Sequence, residues 1–123
     1  MRFIDSKTHG YLDYATALLL IASPWIFGFW AGGAESWVPI ILGVGLAFYS
    51  LLTDYELSIT KGISLKAHLT MDVISGLFLA FSPWLFQFSE LVYLPHLIIG
   101  IMEVGAGLMT HTYPAYKTRH TEG

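Results

Sequence analysis

Residues 14–34 read YATALLLIASPWIFGFWAGGA, 21 consecutive positions without a charged side chain. A helix rises about 1.5 Å per residue, so a run of this length reaches across the roughly 30 Å hydrocarbon layer of a bilayer. Three comparable stretches follow. Residues 36–53 are uncharged, residues 67–89 hold only Asp72, and residues 91–116 hold only Glu103. In a chain of 123 residues they leave almost no length for a separate soluble domain. Composition agrees: 54% of residues are hydrophobic and 12% charged, about half the charged share of a soluble domain. The expected fold is all-α, a bundle of four transmembrane helices at about 9–31, 36–54, 66–88 and 91–112. Residues 1–123 then form one membrane domain. It divides into a first hairpin (about 9–54), a middle loop (55–65), a second hairpin (about 66–112) and a short cytoplasmic tail (113–123).

Orientation follows from the basic residues. Arg2, Lys7, Lys61, Lys66, Lys117 and Arg119 lie in the N-terminal tail, the middle loop or its edge, and the C-terminal tail. The loops around Gly32 and Ser89 carry no Lys or Arg. Four crossings put the three basic segments on one side, and the positive-inside rule makes that side cytoplasmic. The aromatic residues sort with it. Trp25, Trp30, Trp37 and Trp84 fall near the outer face, whereas the tyrosines, Tyr93 excepted, fall near the inner one. A cleaved leader is not expected from the first apolar run, because its polar and proline positions recur in the second half of the chain. The absence of cysteine excludes disulfides and thiolate metal sites, and a net charge of −3 gives no reason to expect nucleic acid.

The chain contains itself twice. His9-Gly-Tyr-Leu-Asp13 matches His68-Leu-Thr-Met-Asp72, and Ser23-Pro24-Trp25 matches Ser82-Pro83-Trp84 at the same offset of 59. Phe27 and Phe29 match Phe86 and Phe88; Gly43 and Thr53 match Gly100 and Thr110 at an offset of 57. Each unit is a helical hairpin that returns to its starting side. The two copies therefore point the same way and should be related by a pseudo-two-fold axis along the membrane normal. With its duplicated Ser-Pro-Trp, the chain resembles the SPW repeat family of small bacterial membrane proteins from about His9 to Thr112. The resemblance implies a membrane location and a two-repeat architecture; with the orientation above, the expected location is a bacterial cytoplasmic (inner) membrane. It supplies no activity or catalytic residue.

Inside a helix, Pro24 frees the carbonyl of Leu20 and Pro83 that of Leu79. In lipid such groups need partners, and Ser23 and Ser82 are candidates, with Trp25 and Trp84 as outer anchors. A second reading ends the first helix at Ser23, but residues 10–23 would then span only about 21 Å. Continuous, proline-bent helices are preferred on that ground. Pro39 and Pro95 fall near helix starts, where proline costs little.

The polar groups inside the spans are His9, Asp13, His68, Asp72, Glu103 and His111. His9 and Asp13 share a helix face, as do His68 and Asp72. A charged carboxylate at a helix centre costs about 2.5–3.5 kcal/mol. One interhelical hydrogen bond contributes about 0.6 kcal/mol. These carboxylates must therefore be hydrated, paired with histidine or protonated. A structural packing role comes first, proton or ion handling second, and a metal site of two His and two Asp third, so no metal or cofactor is assigned. Gly43-Val-Gly45 lacks a third glycine and is no phosphate loop; Ser50 and Ser75 belong to no nucleophile motif. No enzyme is expected. The expected role is a small membrane scaffold or interaction protein, partnered by the lipid bilayer and by a further copy of itself or another membrane protein. The alternative is a proton- or ion-linked transporter using Asp13, Asp72 and Glu103.

Overall fold

The computed structural model describes residues 2–117. They form four helices, α1 (Ser6–Ile26), α2 (Ala34–Leu51), α3 (Leu65–Leu85) and α4 (Leu94–Met109), with no strand among the described residues. The architecture is an all-α four-helix bundle. α1 packs on α2 and α3 on α4 as two hairpins, which meet mainly along α2 and α3, while α1 and α4 scarcely touch. Two helices, α2 and α3, are long and apolar enough to cross a membrane. α4 is apolar over 16 residues.

Local chemistry sets the helix ends. The Asp5 carboxylate caps α1 by accepting the Thr8 N–H at 2.8 Å, and the Ser64 hydroxyl caps α3 by accepting that of Ala67 at 3.1 Å. α1 accordingly begins before residue 9. At the other end, α1 and α3 run through Pro24 and Pro83 to Ile26 and Leu85. The Ser23 hydroxyl donates to the Leu20 carbonyl at 2.8 Å and Ser82 to that of Leu79 at 2.7 Å, so both carbonyls freed by proline are satisfied. Pro39 lies deeper in α2 than its expected near-terminal place. The carbonyl it frees, that of Glu35, accepts His96 Nε2 from α4 at 2.8 Å. α4 is shorter than the expected 91–112. It starts beside Pro95 and stops where Thr110 turns extended to pair with Ile4.

The repeat is preserved in three dimensions. Each copy's start is clipped to the other copy's end: Ile4 pairs with Thr110, and Ile63 with Thr53. The matching backbone bonds run from His111 N–H to the Ile4 carbonyl (2.9 Å) and from Asp54 N–H to the Ile63 carbonyl (2.7 Å). Close helix approach depends on small residues in equivalent places. A Cβ on Gly43 would lie 2.8 Å from the Ala17 carbonyl, and one on its repeat equivalent Gly100 would lie 2.5 Å from the carbonyl of Gly76, the equivalent of Ala17.

Burial runs opposite to that of a soluble protein. Among the described residues, fourteen polar or charged side chains are buried. Leu18, Ile41, Phe48, Ile74, Phe81 and Met102 are more than 60% exposed. An exterior this apolar around a polar interior suits a lipid surround. At one end of the bundle lie Arg2, Lys7, Lys61, Lys66 and Lys117; at the other, Trp30 stacks on Trp25 and meets Trp37 edge-on. Arg119 lies outside the described residues. At the basic end, Lys117 reaches Asp54 at 2.5 Å and Tyr116 also bonds its carboxylate. Burial works to raise the Asp54 pKa, but these two donors hold its carboxyl below the usual range.

Both outward helix ends turn through a left-handed residue, Gly28 at φ 68° and its repeat equivalent Gln87 at φ 62°. A side chain with a Cβ costs roughly 1–2 kcal/mol there. Gln87→Gly is expected to raise stability in detergent by about 1 kcal/mol, measured by thermal unfolding; an unchanged or lower midpoint would show that the Gln87 side chain offsets the strain.

Candidate functional site

His9 and Asp13 project from α1 one turn apart, and His68 and Asp72 do the same from α3. The pseudo-two-fold arrangement brings both pairs to the bundle axis, where all four are at least 95% buried. His9 Nε2 lies 3.1 Å from Asp13 Oδ1 and 2.7 Å from Asp72 Oδ2. His68 Nε2 lies 2.9 Å from Asp13 Oδ2 and 3.2 Å from Asp72 Oδ2. Each histidine thus contacts the aspartate of its own repeat and that of the other. Within-repeat bonding, which spacing alone also allows, is only half of the network.

The far side of each ring is held by a threonine. His9 Nδ1 is 2.7 Å from Thr110 Oγ1, and His68 Nδ1 is 2.7 Å from Thr53 Oγ1. Each threonine hydroxyl donates its one hydrogen to the carbonyl four residues back, Ala106 at 2.6 Å and Tyr49 at 2.7 Å. Its oxygen must therefore accept from the ring, so Nδ1 of both histidines carries a hydrogen. Two tyrosines complete the set. Tyr49 donates to Asp72 Oδ1 at 2.5 Å, and Tyr55 to Asp13 Oδ2 at 2.7 Å.

Glu103 lies beside the four without joining them. Its Oε2 accepts the Ser75 hydroxyl at 3.1 Å, while the buried Oε1 has no protein partner. It lines a cavity of about 80 Å³ between α1 and α4, together with His9, Asp13 and Asp72. That volume accommodates water. The cavity marks where the copies differ: Glu103 and Ala106 stand where the first repeat has Leu46 and Tyr49. Tyr49 fills the α2–α3 side; Ala106 leaves the α4–α1 side open. His111 is not brought to the layer. It follows the end of α4, and its ring stacks on Tyr113 with centroids 5.3 Å apart.

The Ser-Pro-Trp residues occupy the opposite end. Ser23, Pro24, Ser82 and Pro83 are buried, and Trp25 and Trp84 face outward. Between the two ends, Leu20, Leu79 and Ile99 form an apolar plug. Beyond it His96 sits between Phe29 and Phe88, whose ring centroids are 5.0 and 4.9 Å away. Sequence reasoning passed over Tyr49, Tyr55 and His96, which have no equivalent in the other repeat. Thr53 and Thr110 were visible as a repeated pair but carried no assigned role.

Fold and site together define a class: a duplicated helical hairpin whose copies share one buried polar layer and expose apolar helix faces. The chain belongs to the SPW repeat family. The family's model, described as SPW repeat domain, matches residues 7–110. No curated protein and no solved structure matches the chain. Family and apolar helices together are consistent with a membrane protein.

Removing one member of a buried ion pair costs about 3–5 kcal/mol, because its partner is left uncompensated. Asp72→Asn is expected to lower stability by that order, measured by unfolding in detergent. Glu103→Gln, which removes a carboxylate lacking a full set of partners, should cost nothing. Equal losses in both variants would mean that Glu103 belongs to the same network.

Proposed function

We propose that the chain is a small scaffold or interaction protein of a bacterial cytoplasmic membrane, crossing it with four helices and keeping both termini inside. The observation that carries this reading is the closure of the polar layer. Each histidine reaches the aspartate of the other repeat, His9 to Asp72 at 2.7 Å and His68 to Asp13 at 2.9 Å, and the plug of Leu20, Leu79 and Ile99 separates the layer from the opposite end. An interior tied together across the repeats and plugged by apolar side chains toward the opposite end suits a rigid body that works through its outer faces. Those faces are apolar, so lipid, a second copy or another membrane protein would cover them. The reading assigns no catalytic step. Clustering of Arg2, Lys7, Lys61, Lys66 and Lys117 at one end supports a cytoplasmic position for both termini.

A second reading, a proton- or ion-linked transporter, draws on one observation. The cavity between α1 and α4 joins His9, Asp13 and Asp72 to Glu103, whose Oε1 is unpartnered. Intramembrane carboxylates facing a hydrated space often mark ion paths.

In liposomes, the scaffold reading expects wild-type protein to carry no pH-dependent flux. Flux that disappears in a folded Glu103→Gln variant would establish the transporter instead. A reporter fused after Gly123, which lies outside the described residues, is expected to read cytoplasmic; a periplasmic signal would reverse the orientation.

A further inference from the structure

Both histidines of the polar layer turn the same atom, Nε2, toward the same two carboxylates. We propose that His9, Asp13, His68 and Asp72 bind a divalent first-row transition ion, with zinc the best match, and that this ion is the clamp between the repeats. The proposal rests on the scaffold reading of the layer and goes one step beyond it.

Four observations carry it. The first is the tautomer. Because Thr53 and Thr110 spend their hydrogens on backbone carbonyls, both rings donate from Nδ1. A ring held this way offers Nε2 as the ligand, and an outward Nδ1–H bonded to oxygen is the usual support of a metal-bound histidine.

The second is His68 Nε2. It is wholly buried and within 3.2 Å of two carboxylate oxygens, yet it hydrogen-bonds neither. An imidazolium N–H would align with one of them, since hydrogen bonds weaken steeply off axis. A bare lone pair there would face two carboxylate oxygens and be repelled, whereas a cation held between the nitrogen and those oxygens satisfies all three atoms.

The third is spacing. One ligand atom from each residue lies within 4.8 Å of every other. Tetrahedral zinc, with bonds of about 2.0–2.1 Å, sets its ligands about 3.3–3.4 Å apart. With Oδ2 taken from each carboxylate, three nitrogen–oxygen contacts of 2.7, 2.9 and 3.2 Å are edges of the set, and they need to open by roughly 0.1–0.7 Å.

The fourth is charge and donor type. Two carboxylates and two neutral imidazoles carry a charge that a divalent ion cancels, which is what an apolar surround demands. A mixed nitrogen and oxygen set favours zinc and its neighbours over magnesium or calcium. Tyr49 and Tyr55 hold the carboxylates as Thr53 and Thr110 hold the rings. One repeat supplies half of the site, so only the paired hairpins complete it.

The test uses the full chain, purified in detergent without a polyhistidine tag. Bound metal is measured by elemental analysis, and stripped protein is titrated with Zn2+ and with Co2+ as a spectroscopic probe. The expected result is one ion per chain and a cobalt form with the intense visible bands of tetrahedral coordination. His9→Gln and His68→Gln should abolish binding. Thr53→Val combined with Thr110→Val, which leaves all four ligands in place, should weaken zinc binding by about 10–100-fold. Glu90→Gln, remote from the layer, should bind as wild type does. Folded wild-type protein that takes up neither ion, or zinc retained by the histidine variants, would overturn the proposal. If the histidine variants do not fold, an octahedral cobalt spectrum in wild type, or unchanged zinc affinity in the threonine variant, overturns it equally. Flux in liposomes would remove the scaffold reading while leaving the metal stoichiometry to decide this one.

Discussion

The interior of this bundle is organised by the cost of placing carboxylates where water is scarce. Asp13 and Asp72 are almost fully buried, and neither has a sufficient partner within its own helix. A histidine from the other repeat supplies the rest. The condition is mutual, since each hairpin alone would leave a carboxylate half-balanced. Apolar contact gives no comparable preference for one neighbour over another among greasy helices, because lipid is as apolar as leucine. The shared layer therefore makes hairpin pairing specific, and the threonines and tyrosines around it fix the geometry of that pairing.

The same rule governs the prolines. Each of three interior prolines frees a carbonyl, and each carbonyl finds a donor. Ser23 and Ser82 answer within their own helices, while His96 crosses from α4 to answer for Pro39. Ser-Pro-Trp then reads as a compact device. The proline frees a carbonyl inside a continuous helix, the serine satisfies it, and the tryptophan faces outward where an amphipathic ring is stable. Because both freed carbonyls are satisfied without inter-repeat contact, this motif shapes each hairpin and leaves pairing to the layer at the opposite end.

Departures from the repeat locate what is particular to this chain. Leu46 and Tyr49 become Glu103 and Ala106 in the second copy, and the loss of a tyrosine opens a cavity beside the layer. A symmetric duplication would have closed both sides. The structure is thus two-fold in its clamp and one-sided in its access.

Much of this was legible in the residues themselves. Charge-free runs, basic segments and a repeat offset of 59 give four helices in two like-oriented hairpins, because span length and proline positions are local properties. His9, Asp13, His68 and Asp72 could be singled out for the same reason, since spacing by four places them on shared faces. Their convergence could not, for it depends on which faces meet across the pseudo-two-fold axis. Spacing also left open whether each pair bonds only to itself, and it gave Glu103 and His111 equal claims on the layer. The end of α4 at Met109 removes His111, and the loose approach of α1 to α4 leaves Glu103 lining a cavity between them. Tyr49, Tyr55 and His96 act only through partners distant in the chain, so no local pattern marks them. Sequence determined the helices and their polar positions through short-range chemistry; tertiary structure alone decided which buried charges face one another, because that is set by packing between segments far apart in the chain.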